Sequence, residues 1–194
     1  MQPVIDENEP TLIIRAIQRD SEAFGQLYNL YFDRVYRYVR LKVGNPSDAE
    51  DLTALVFLSA WRSIHRFSPK HEASFAGWIF RLAHNALVDR YRRSHETISL
   101  DADEAAVWDG PTLAGPEEAI EWQLTLEELH AALQALTEEQ REVVLLRFVE
   151  GLSAREVGDI MGKQEGTVRG MQFRAIEGLR RALSVAKGAR AHER

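Results

Sequence analysis

Apolar side chains recur at steps of three and four through residues 12–93, and no stretch there alternates every second position. The pattern predicts helices and no strands. Phe24, Leu27, Tyr28, Tyr31, Val35, Tyr38 and Val39 form one stripe along a helix of residues 21–43, which Gly44 and Pro46 close. Pro46 opens the next helix, with Ser47 and Glu50 as a capping box. Ala49, Leu52, Thr53, Val56, Phe57, Ala60, Trp61 and Ile64 share its inner side, while Asp51, Leu55, Leu58 and Arg62 stand opposite with Ala54 beside them. Leucines flanked by charge make either a docking surface or a face that another helix of the same domain covers, and the pattern leaves both open. The loop of residues 67–73 leads into a helix capped at Ser74. Its inner side carries Phe75, Ile79, Leu82 and Ala86, and its polar side Arg81, His84, Asn85, Asp89 and Arg92.

A second periodic region, residues 151–184, has the spacing of a helix-turn-helix. Ser153 and Glu156 form a capping box, Val157 and Ile160 face inward, and Gly158 is small enough for a close crossing. Gly162 suits a left-handed turn. After it, Val168, Met171, Ala175, Ile176, Leu179 and Leu183 make the buried stripe, leaving Thr167, Arg169, Gln172, Phe173 and Arg174 outside. That outer set offers cations for phosphate, an amide able to pair with adenine, and a ring for a thymine methyl. Plain helix packing with a solvated face is the alternative, against which the large ring of Phe173 argues.

Composition changes this picture mainly through charge. The chain has 194 residues, 24 Lys and Arg against 30 Asp and Glu, a net charge of -6 and no cysteine. Disulfides and thiolate metal sites are excluded. No apolar run is long enough for a signal core or a membrane span, so a soluble cytoplasmic protein without membrane insertion is expected. The average charge misleads for a nucleic-acid binder. Residues 11–93 carry 13 bases and 8 acids, whereas residues 94–123 carry eight acids and no Lys or Arg. The acidic stretch, with Gly110, Pro111, Gly115 and Pro116, reads as an extended linker between two domains. Ile98, Leu100, Val107, Trp108 and Leu113 leave open whether it docks.

Arg90, Arg92 and Arg93, interleaved with Trp78, Phe80 and Tyr91, are what single-stranded nucleic acid asks for: phosphate neutralisation beside flat rings. The same residues also fit an ordinary core helix whose C-terminal arginines complement its dipole. His65, His71, Glu72, His84 and Asp89 lack a ligand spacing, so no metal, cofactor or catalytic residue is expected. A one-component regulator with an N-terminal sensor domain remains the alternative function, and it requires an inward-facing polar pocket.

Three segments in order resemble a sigma factor of the sigma-70 family, in its compact extracytoplasmic-function group. AEDLTALVFLSAW, residues 49–61, resembles the helix that grips the clamp helices of the RNA polymerase beta-prime subunit. WIFRLAHNALVDRYRR, residues 78–93, is similar to the promoter-melting helix. Residues 135–175 resemble the fourth sigma domain and include a capping box at Thr137 and Gln140. The resemblance runs from about Asp20 to Leu183.

It implies an all-α chain of two small helical domains: an unstructured segment 1–10, a region 2 domain 11–93, an acidic linker 94–120, a region 4 domain 121–184 and a tail 185–194. It implies partners in core RNA polymerase (beta-prime clamp helices and beta flap), promoter DNA and an anti-sigma factor. Asp48, Asp51, Ala54, Leu55, Leu58 and Arg62 would meet the polymerase. Lys70, His71, Ser74, Trp78, Arg81, Asn85, Arg92 and Arg93 would hold the melted minus-ten element. Lys163, Gln164, Thr167, Arg169, Gly170, Gln172, Phe173 and Arg174, on a recognition helix of residues 163–181, would read the minus-thirty-five element. The linker would thread the polymerase channel that RNA later occupies. Ala54 and Leu55 replace the family's common glutamine and acid, making the clamp contact more apolar. Met171 and Phe173 stand where the family often has a basic residue and a histidine. Gly166 and Gly170 each cost the recognition helix about 1 kcal/mol against alanine, and Gly170 is expected to let the backbone approach a phosphate closely.

Overall fold

Helix α1, Glu9–Ile17, begins where the Asn8 side chain accepts from the Thr11 N–H and Pro10 occupies the first turn. The computed structural model describes residues 8–43, 45–69, 74–97, 132–133 and 135–192. Residues 8–10 are thus part of a capped helix and not of an unstructured N-terminus, and residues 1–7 lie outside the described residues. The helix stops at a left-handed Arg19, φ 68°, where the Arg19 N–H donates to the Ala16 carbonyl and the Asp20 N–H to that of Arg15. The Asp20 carboxylate then caps α2, Ser21–Val43, by accepting from the N–H groups of Glu22 and Ala23.

Helix α3, Pro46–Ser63, has Pro46 in its first turn as expected, but its N-cap is Asn45, whose side chain accepts from the Ser47 N–H. The expected box at Ser47 and Glu50 is displaced because a proline at the first helical position puts the cap on the residue before it. A short 3-10 turn, Ile64–Arg66, follows. Helix α4, Phe75–Thr97, starts at Ser74, whose hydroxyl accepts from the Gly77 N–H, and it runs four residues beyond the expected boundary at Arg93.

In this first unit α2 packs against α1, α3 and α4. The core is aliphatic at Leu12, Leu27, Val35, Val39, Leu52, Val56, Ile64 and Ile79 and aromatic at one end. There Phe67, Phe75 and Trp78 pack ring on ring at 5.2–5.7 Å, with Tyr31 edge-on to Phe75 at 5.1 Å. Burial, together with the hydroxyl's hydrogen bond to the Glu9 carboxylate, pushes Tyr31 above the ordinary tyrosine range and ties α1 to α2.

The second unit holds α5, Glu138–Val144, continued by a π turn, Leu145–Val149, then α6, Ala154–Met161, and α7, Glu165–His192. Both capping boxes expected here are present, Thr137 with Gln140 and Ser153 with Glu156. Helix α7 packs on α5 and α6, burying Val168, Met171 and Ala175 against a core that includes Val143, Leu146, Val157 and Ile160. It continues to His192, so the expected tail is helical through most of its length. From residue 98 to 131 the acidic linker lies outside the described residues. No described helix is long and apolar enough to cross a membrane.

Candidate polymerase and nucleic-acid interfaces

Helix α3 segregates its two faces cleanly. Ala49, Leu52, Thr53, Val56, Phe57 and Ala60 are buried, and Asp51, Ala54, Leu55, Leu58 and Arg62 are exposed. Leu55 is 50% and Leu58 45% exposed, so no described helix of their own unit covers them. Two adjacent leucines in water, bracketed by an acid and an arginine, favour a partner that supplies apolar surface and complementary charge. Asp48 differs from the rest of its expected set: it is half-buried and ion-paired with Arg90 of α4. The pair fastens α4 to the start of α3, a cross-helix contact without a sequence period.

The expected single-strand face on α4 divides. Trp78 is only 8% exposed, wedged between Phe67 and Phe75, and Phe80 is fully buried, edge-on to Tyr38 at 5.4 Å under the Arg34 guanidinium. Neither ring can stack on a base. The expectation for Trp78 is therefore corrected, because α4 packs against both α2 and α3 and a broad arc of its surface, from Phe75 to Leu87, turns inward. Tyr91 is exposed, with its hydroxyl donating to the Lys42 carbonyl. Asn85, Arg92 and Arg93 stand exposed at helical spacing, Arg81 is half-buried, and Ser74 serves as the helix cap. Lys70 and His71 lie outside the described residues.

The helix-turn-helix forms as its glycines require. Gly162 takes φ 64° and ψ 35°, and the Lys163 N–H donates back to the Gly158 carbonyl at 2.8 Å. A Cβ on Gly158 would lie 2.6 Å from the Lys163 carbonyl oxygen, so the close crossing is with the turn itself. Gln164, Thr167, Arg169, Phe173 and Arg174 are exposed, Phe173 at 64%. Lys163 is half-buried and pairs with Glu139 at 2.7 Å, and Arg169 pairs with Glu165 at 2.6 Å. Gln172 is half-buried on the shoulder of the helix, its Oε1 accepting from Arg147 Nε at 3.0 Å. Arg147 also donates to the Leu152 carbonyl. Sequence reasoning missed Arg147, since a link between a π turn and a helix 25 residues away has no local signal. A Cβ on Gly166 or Gly170 would meet nothing within 4 Å, which leaves open space over the backbone at both positions.

Among the described residues of the first unit, Thr53 is the one buried polar side chain besides tyrosines, so the inward polar cluster of a sensor domain is not found there. No three His, Asp or Glu side chains among the described residues gather as a metal site.

Comparison with known proteins follows the same division. Residues 27–97 match the family model for sigma-70 region 2 and residues 126–178 that for sigma-70 region 4. The chain is 36% identical over 178 residues to the ECF RNA polymerase sigma factor BldN of Streptomyces coelicolor, spanning 89% of its own length and 64% of that protein. It is 33% identical over 185 residues to the ECF RNA polymerase sigma factor SigE of Mycolicibacterium smegmatis, covering 92% of this chain and 69% of the relative. Two solved structures share the fold at a TM-score of 0.65 and 23% identity. CnrH, solved with the cytosolic domain of CnrY, aligns over 91% of this chain and 97% of its own. The sigma factor RpoE of Bartonella quintana, solved with the anti-sigma factor NepR, aligns over 84% and 97%.

Proposed function

The chain belongs to the sigma-70 family of RNA polymerase sigma factors, in its extracytoplasmic-function (ECF) group, and on that premise we propose that it directs core RNA polymerase to promoters. It performs no chemistry of its own and acts in the cytoplasm. Asp51, Ala54, Leu55, Leu58 and Arg62 meet the clamp helices of the beta-prime subunit. The leucines supply the desolvated centre of that contact and the flanking charges set its register. The observation that carries the reading is the exposure of Leu55 and Leu58 on a helix whose opposite face is buried at every expected position but Trp61.

Asn85, Arg92 and Arg93 hold the displaced minus-ten strand, chiefly through phosphate, which makes melting salt-sensitive. Base stacking there does not involve Trp78 or Phe80. Lys163, Gln164, Thr167, Arg169, Phe173 and Arg174 enter the major groove at the minus-thirty-five element. Gln172 and Gly170 flank that contact. The unit that contains them also meets the beta flap. Reaching a groove requires Arg169 to exchange Glu165 for phosphate or base, a small cost because the pair is exposed.

An anti-sigma factor holds the free protein inactive by covering the same leucines. That the sigma factor RpoE of Bartonella quintana was solved with the anti-sigma factor NepR is in keeping with this extension. Run-off transcription tests the whole: core polymerase, this protein and a promoter fragment should give a start-specific transcript. No transcript above that of core polymerase alone, across promoters of ECF type, overturns the reading.

A further inference from the structure

Arg19 is the one non-glycine residue with a positive φ among the described residues, at 68°. It sits where α1 stops and α2 begins, a position at which glycine is the usual occupant because a Cβ crowds the following carbonyl. The backbone gains nothing from an arginine there, so the reason lies in the side chain.

That side chain reaches the far end of α3. Nη1 donates to the Trp61 carbonyl at 2.6 Å, and Nη2 donates to the Arg62 carbonyl at 3.2 Å and to His65 Nδ1 at 2.8 Å. The guanidinium also lies 5.5 Å from the Trp61 ring centroid. An arginine has no acceptor, so Nδ1 of His65 carries no proton in this arrangement. The two carbonyls belong to the last turn of α3, whose oxygens have no partner within the helix, and a cation there also complements the helix dipole. Nearby, Asp20 is held by Arg15 at 2.7 Å, which fixes the junction that presents Arg19.

We propose that Arg19 is a positioning residue for polymerase docking: by capping the carbonyls of Trp61 and Arg62 it fixes the last turn of α3 and aims the exposed Arg62 side chain at the partner. The inference rests on the proposed function and deepens it. It predicts that Arg19 acts through Arg62 and not through the leucines or through stability at large.

A double-mutant cycle on the full chain tests this, with affinity for bacterial core RNA polymerase as the reading. Arg19→Gly keeps the left-handed backbone and removes the guanidinium. It should weaken binding about tenfold in the wild-type background and add little further loss in an Arg62→Ala background. Arg19→Lys should recover part of the affinity, because an ammonium reaches one carbonyl but cannot span both and the imidazole. Thermal melts of each variant separate this from a purely structural role, which would lower the melting temperature and weaken binding equally in both backgrounds. Wild-type affinity in Arg19→Gly, an unchanged affinity in Arg62→Ala, or losses that simply add would overturn the inference. Failure of the wild-type chain to bind core polymerase overturns the proposed function and this inference with it, whereas binding with additive losses overturns this inference alone.

Discussion

The two units differ in where they place their aromatic rings: the first buries a large cluster of them, with Tyr28 and Tyr91 left exposed, and the second exposes both of its described rings. In the first, Tyr31, Tyr38, Phe67, Phe75, Trp78 and Phe80 are all buried, and the exposed apolar residues of its contact helix are leucines. In the second, the core is built of Val, Leu, Ile, Met and Ala, and both described rings, Phe148 and Phe173, stand in water. The difference follows from packing. Helix α4 turns a wide arc, from Phe75 to Leu87, inward and takes its rings along, whereas α7, which also packs on two helices, fully buries among its described side chains only the line through Val168, Met171 and Ala175. A ring beside an arginine in the chain therefore says little about nucleic acid until the covering helices are counted.

The strongest way to break this comparison is to remove one ring from each unit. Trp78→Ala should cost about 3–5 kcal/mol of stability, the loss for a large buried ring. Phe173→Ala should stay within about 0.5 kcal/mol of wild type yet weaken binding to a minus-thirty-five duplex. Urea unfolding and a DNA titration read the two effects, and an exchange of outcomes between the variants would show the assignment of roles to be reversed.

Glycines sharpen the same contrast within the second unit. Gly158→Ala places a Cβ 2.6 Å from a backbone oxygen that cannot swing away, and it should destabilise the helix-turn-helix by about 1–3 kcal/mol. Gly166→Ala meets open space and should stabilise α7 by up to about 1 kcal/mol. Gly170→Ala should be neutral or favourable for folding and unfavourable for promoter binding. If promoter affinity in that variant is unchanged or better, the idea that bare backbone approaches a phosphate fails.

Smaller effects separate the inner from the outer face of α3. The Thr53 hydroxyl is buried with no hydrogen-bond partner, so Thr53→Val should gain about 1 kcal/mol in a thermal melt. The smallest effect concerns acid. The Arg15 hydrogen bond, followed by the backbone N–H groups, holds Asp20 below its ordinary carboxylate value of 3.8. Its contribution is therefore present above that value and fades as pH falls through the lowered one. Asp20→Asn should flatten that part of an acid melt and leave neutral stability only slightly reduced.

The inner face of α3 was legible almost to the residue, because seven of its eight expected positions are buried and only Trp61 is left half-exposed. The period of a helix that packs along one line carries that information by itself. The turn at Gly162 and the capping boxes at Ser153 and Thr137 were equally legible, being local chemistry within four residues. What escaped was set by distant or backbone contacts. Trp78 and Phe80 went inward because a second helix covers α4, Asp48 was taken by Arg90, and Gln172 was drawn to Arg147. The π turn at Leu145–Val149 leaves no mark in hydropathy, and the left-handed Arg19 hides behind a residue type that does not ordinarily adopt it.

Co-elution with core RNA polymerase is the most direct test of the account, comparing the wild-type chain with a Leu55→Asp, Leu58→Asp variant. Both residues are exposed, so the variant should melt as the wild type does. The account predicts that the wild-type chain elutes with the polymerase as a stoichiometric complex and that the folded variant elutes alone. A variant that co-elutes as fully as the wild type would contradict it.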